Sequence, residues 1–154
     1  MKKVLFSCLA LLIYSFSFSQ NTEDDMEILR DLEAAERKAL VAENMMLSSE
    51  ESKVFWPLYT AYRSEARELG IRSFAIIEKL AANYETLDNA KATEIMNEYF
   101  KLESEKIKLK NDHRLKMQKV LNAKLVMRYM QIENKIDAII EYGLAAEIPL
   151  VIKD

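Results

Sequence analysis

The chain has 154 residues and a formal net charge of −3, with only two glycines, two prolines and one cysteine. Such scarcity of glycine and proline, beside abundant Ala, Leu, Glu, Lys and Met, points to an all-α protein and argues against a sheet, since no segment alternates with period two between turn residues. A mildly acidic balance also argues against nucleic acid as a partner, because binding it requires phosphate-neutralising charge.

Residues 1–19 read as a signal peptide. Lys2 and Lys3 form a charged start, residues 4–18 are apolar or small, and Ser17 and Ser19 supply the small residues of a cleavage site before Gln20. The apolar run falls short of the roughly 20 residues a spanning helix needs, so no membrane-spanning segment is expected once it is removed. The expected mature chain, residues 20–154, is a single all-α domain. Cys8 leaves with the signal, which excludes disulfides and thiolate metal sites and moves the charge to about −5.

A first helix is predicted over 26–44, capped by Asp24 or Asp25. Its apolar stripe is Ile28, Leu32, Ala35, Ala39 and Val41/Ala42. Ser48 followed by Glu51 is a capping box, with Leu47 placed to staple the turn, and it starts a second helix over 49–84. That helix has the seam Phe55, Leu58/Tyr59, Tyr62, Ala66, Leu69, Ile76/Ile77, Leu80 and Tyr84. Pro57 lies too far inside for a first-turn proline, which predicts a kink near 53–57.

Thr86 or Asp88 caps a third helix over 89–120. Its seam is Ala92, Ile95/Met96, Tyr99 and Leu102, then Lys106, Leu109, His113, Met117 and Val120. Between Lys101 and Lys119 lie seven basic and three acidic residues, for which the acidic first helix is the expected partner. The second and third helices, at 1.5 Å per residue, would each span roughly 50 Å, a long bent hairpin flanked by the N-terminal helix. Asn122 caps a fourth helix to about 146, striped by Leu125, Tyr129, Ile132, Ile136 and Ile139/Ile140. Pro149 stops it, and Ile148, Leu150 and Val151 are expected to fold back on the core.

Little in the chain suggests catalysis. His113 is the only histidine and lies on a basic face that repels cations, so it reads as a partly exposed seam residue. Glu50, Glu51, Glu103, Glu105 and Glu133 show no pairing within a pocket, and capping or solvated-face roles account for them. No enzyme, metal site or cofactor is expected. Trp56, with Phe55, Tyr59 and Tyr62, fits a core at helical spacing. Yet Phe55 and Trp56 diverge by about 100°, and a thin helix pair cannot bury two sides. Met45 and Met46 add adaptable apolar surface at the same junction. Met45, Met46, Phe55, Trp56 and Tyr59 are therefore the candidate protein-interaction residues.

Leu47-Ser48-Ser49-Glu50-Glu51 and Leu121-Asn122-Ala123-Lys124-Leu125 resemble the paired Leu-Thr-x-x-Gln (LTxxQ) helix starts of the Spy/CpxP-like periplasmic proteins. The first has Ser for Thr and Glu for Gln, while the second keeps only the Leu and a capping residue. The stretches Phe55 to Tyr59, Gln131 to Lys135 and Ile148-Pro149-Leu150 are similar to exported proteins of that type, some described as sensors associated with an extracytoplasmic-function (ECF) sigma factor. The resemblance covers residues 45–151. It implies a periplasmic, cofactor-free protein of a Gram-negative bacterium, often a cradle-shaped homodimer, that binds unfolded clients or regulates envelope stress. An accessory sensor binding one membrane-anchored anti-sigma partner is the alternative, and a metal-binding sensor a distant third, since that branch uses histidine-rich sites.

Overall fold

The computed structural model describes residues 22–153, so the signal peptide read at residues 1–19 lies outside the described residues. Four helices follow one another: α1 (Thr22–Met45), α2 (Ser49–Ala82), α3 (Asn89–Gln118) and α4 (Ala123–Glu147), with a 3₁₀ turn at Tyr84–Thr86 between α2 and α3. The fold is all-α, and no strand occurs among the described residues. None of the described helices is long and apolar enough to cross a membrane.

The chain divides into two compact units, Met1–Lys38 and Ala39–Asp154. In the first, Arg37 donates to Glu33 one turn back at 3.1 Å. The start of α1 differs from expectation: Asp24 and Asp25 lie inside the helix, which begins at Thr22. Its stripe holds only in part. Val41 of the predicted stripe is buried, but Ala35, Ala39 and Ala42 are exposed, and Met45, one turn beyond Val41, is buried instead. Alanine offers little area to bury, so the larger side chains choose the face. The side chains of Ile28 and Leu32 lie outside those described.

In the second unit, the helix starts are set by side chains. Ser48 accepts from the Glu51 amide, and Glu51 accepts in return from the Ser48 amide at 2.9 Å, completing the capping box. Asp88, rather than Thr86, caps α3 through the Lys91 amide at 2.7 Å, and Asn122 caps α4 through the Leu125 amide at 2.9 Å. Each such bond satisfies an amide left over at a helix start and contributes about 1 kcal/mol. The α2 helix runs unbroken through Pro57. Both Pro57 and Lys53, whose carbonyl loses its partner there, are exposed, so the lost bond falls on the solvent side.

Helices α2 and α3 form an antiparallel hairpin. Tyr62 meets His113, Arg72 meets Glu105 and Lys79 meets Glu98, each step forward along α2 matched by a step back along α3. Near the 3₁₀ turn only Ile95 and Leu102 are fully buried, because two helices alone cannot enclose a wide core. Charge holds that end: Lys79 bridges Glu94 and Glu98, and Lys106 bonds Ser73 and Glu103. The basic stretch of α3 thus pairs with acids on its own helix and on α4, including Lys108 with Asp112 at 2.8 Å and Lys110 with Asp137 at 2.9 Å.

The core lies at the other end. Val41 and Met45 from α1, Phe55 and Tyr59 from α2, Met117 and Leu121 from α3 and its exit, and Val126 and Tyr129 from α4 form one buried cluster. Leu47, Trp56, Leu125, Ile132 and Ile136 pack against it. The two leucines of the helix-start motifs, Leu47 and Leu121, therefore share one core. Helix α4 passes antiparallel to α3 and parallel to α2, since Tyr129 meets Phe55 and the far end of α4 reaches Tyr84. The tail departs from expectation. Tyr84 donates to the Leu150 carbonyl at 2.8 Å, so the tail turns onto the far end of α2, not onto the core, and Leu150 and Val151 stay exposed.

Candidate functional site

The five candidate interaction residues separate on burial. Met45, Phe55 and Tyr59 belong to the core and present no surface in this conformation. Trp56 is half-buried, with its ring edge-on to Phe55 and Tyr59 at 5.0 and 5.3 Å. Met46 alone is open, at 79 % exposure, in a left-handed conformation with φ of 51° that turns the chain from α1 into α2. Phe55 and Trp56 do diverge: Phe55 meets Tyr129 of α4 inside the core, while Trp56 packs against that core and stays half-buried. A surface built on these five reduces to Met46 and one edge of Trp56.

Beside that core sits a buried polar cluster that the sequence reading placed elsewhere. His113, read as partly exposed, is only 3 % exposed. Its ring stacks on Tyr62 with centroids 4.2 Å apart, meets Tyr129 edge-on, and places Nε2 3.3 Å from the Tyr129 hydroxyl. Burial, reinforced by the Lys116 charge, lowers its pKa to about 4, which holds it neutral at physiological pH. Burial pushes the Tyr129 hydroxyl well above the usual phenol range, with the Glu133 charge adding to the effect. Glu133, expected on a solvated face, is 1 % exposed, with Oε2 3.8 Å from Nη1 of Arg63 on α2. The helical stripe of α4 carried Glu133 inward with Tyr129 and Ile136, and nothing in its local sequence marks it. Among the described residues no group of three or more His, Asp or Glu could hold a metal ion.

The other glutamates have simpler places. Glu50 pairs with Lys53, Glu51 caps α2, Glu103 pairs with Lys106 and Glu105 with Arg72. The Ser48 amide and hydroxyl hold Glu51 below the usual carboxylate range, and the Arg72 guanidinium does the same for Glu105.

Among the described residues several large apolar side chains are exposed, Ile139 and Tyr142 of α4 included, and two apolar features stand out. The larger is a stripe on α3, where Phe100 is 65 % and Ile107 69 % exposed, with Met96 and Tyr99 beside them and Tyr99 edge-on to Phe100 at 5.3 Å. At 100° per residue, Met96, Phe100 and Ile107 share a line about 120° from the Ile95, Leu102 and His113 face that meets α2. The predicted seam merged the two faces by joining Met96 to Ile95, and the line of Met96, Phe100 and Ile107 was the available signal. The smaller surface is an apolar cleft of about 300 Å³ where Ile77, Leu80, Ala81 and Tyr84 of α2 and its exit face Ile148 and Pro149.

The chain matches no protein-family model, no curated protein and no solved structure.

Proposed function

We propose that this protein is a non-enzymatic, exported binding protein that holds unfolded polypeptide segments in the manner of the Spy/CpxP-like envelope-stress proteins. The observation that carries the reading is the exposed stripe of Met96, Phe100 and Ile107 on α3, with the ring of Tyr99 edge-on to Phe100 at its side. Apolar side chains gathered on one exposed line mark a surface for another chain. Lys101 and Lys108, both exposed, flank it and suit acidic or mixed-charge clients. The paired helix starts at Leu47 and Leu121 support the likeness, because both deliver their leucine to one core. The test is suppression of aggregation of an unfolding model protein at stoichiometric ratio. The purified protein should suppress it, and Phe100→Ser/Ile107→Ser should lose the effect while keeping its helical spectrum. A folded wild-type protein with no effect would rule the reading out.

The cleft beside Pro149 favours a second reading, an accessory regulator that binds one segment of a membrane-anchored partner such as an anti-sigma protein. Its size suits a few apolar side chains, not a varied clientele. Cross-linking from Ala81→Cys in the native host would then trap one defined envelope protein, and recovery of none would sink this alternative.

A further inference from the structure

The polar groups buried where α2, α3 and α4 meet are an odd choice for mere packing. Tyr62 and Arg63 of α2, His113 of α3, and Tyr129 and Glu133 of α4 occupy a position that apolar side chains could fill. Three elements contribute, so the cluster senses whether all three are docked. The groups against His113 are Tyr62 from α2, Tyr129 from α4 and Lys116 from its own helix, while Arg63 and Glu133 pair with each other next to Tyr62 and one turn beyond Tyr129. Only one of these, Glu133, carries negative charge, and its Oε2 faces Arg63 at 3.8 Å. An imidazolium formed here would meet the Lys116 charge, and the Glu133 carboxylate is engaged by Arg63. The π face of Tyr62 offsets only part of that deficit.

We propose that this junction is an acid-sensitive latch: protonation of His113 releases α4 from the α2–α3 hairpin while the hairpin itself stays paired. The asymmetry follows from how the helices are held. The α2–α3 interface is much the more extensive, and it carries ion pairs and hydrogen bonds at Arg72, Lys79 and Lys106 far from the histidine. Helix α4 touches α3 over a shorter length, chiefly through Tyr129 and the Lys110–Asp137 pair. Undocking α4 brings water to His113, opens the core to which α4 contributes Val126 and Tyr129, and breaks the 2.6 Å bond from Arg128 to the Asn44 carbonyl. It also frees the faces of Val126, Tyr129, Ile132 and Ile136 together with Phe55 and Tyr59 opposite them, a new apolar surface that exists only in acid.

The chain has one histidine and one tryptophan, so both sides of the latch can be followed without labels. Between pH 7.5 and 4.5 the open population should rise about 100-fold, from the difference between an ordinary imidazole and the value near 4 of the buried one. In the purified protein, Trp56 emission should shift and an apolar dye should bind between pH 6.5 and 4, with far-ultraviolet helical signal retained. The variant His113→Gln should move that transition at least one pH unit lower, and an unchanged midpoint overturns the proposal. If the variant does not fold at pH 7.5, the wild-type imidazole resonances decide. Titration in step with the Trp56 change supports the latch, and titration near pH 6.5 without any change at Trp56 refutes it.

Discussion

Tyr62 of α2 and His113 of α3 lie face to face, their ring centroids 4.2 Å apart and their planes 9° from parallel. A ring so enclosed prefers its neutral form, and its pKa of about 4 lies below the ordinary 6.5. Its contribution to stability is therefore complete above pH 6.5 and lost as pH falls from there towards 4. Glu51, Glu94, Glu105 and Asp112 are also held below their ordinary values, but their contributions fade only below about pH 4.5. Urea unfolding should accordingly show a loss of about 2 kcal/mol between pH 7.5 and 5. In His113→Gln that segment of the pH profile should be nearly flat.

The two helix-start residues provide a second measurement. Ser48→Ala and Asn122→Ala each remove an acceptor for an amide at a helix start, Glu51 in one case and Leu125 in the other. Each should cost about 1 kcal/mol in chemical denaturation. Ser48→Ala should cost slightly more than Asn122→Ala, because the Glu51 carboxylate also loses its hydroxyl partner at 2.9 Å. Equal stability of either variant to wild type would show that its cap is not formed in solution.

The caps of α2, α3 and α4, the four helices and the inward face of α2 were legible because each rests on local rules. Ser48, Asp88 and Asn122 satisfy nearby amides, and Phe55, Tyr59 and Tyr62 fall on one line at helical spacing. What was not legible depends on neighbours distant in sequence. The burial of His113 needs Tyr129 on α4, and that of Glu133 needs Arg63 on α2. The burial of Met45 beside the predicted Val41 needs the core that receives them. Periodicity could name an inward face, but not which helix would close over it. For the same reason the candidate surface moved from Phe55 and Tyr59, which α4 covers, to Phe100 and Ile107, which among the described residues stay largely open.

Met46 offers a stabilising substitution. Its φ of 51° places a side chain in the left-handed region, where glycine meets no Cβ penalty, and its own side chain is 79 % exposed. Met46→Gly should raise stability by about 0.5–1 kcal/mol, the relieved strain exceeding the added freedom of the unfolded chain. Thermal melts of Met46→Gly and Met46→Ala side by side would separate the two effects, since alanine keeps the strain. A lower melting temperature for glycine than for alanine would contradict the turn geometry.

The Arg63–Glu133 pair gives the sharpest contrast between removing one partner and removing both. Glu133 is 1 % exposed, so a carboxylate left there without the guanidinium would keep its desolvation cost and lose its counter-charge. Arg63→Met should destabilise the protein by about 3 kcal/mol at pH 7.5. Adding Glu133→Met should restore most of that loss, because methionine fills a similar volume and asks for no partner. The single variant should also lose less stability than wild type as pH falls towards 5, because protonating a carboxylate deprived of Arg63 offsets part of the loss from His113. A double variant no more stable than Arg63→Met would mean that the arginine's aliphatic stem, and not its charge, secures α2 against α4.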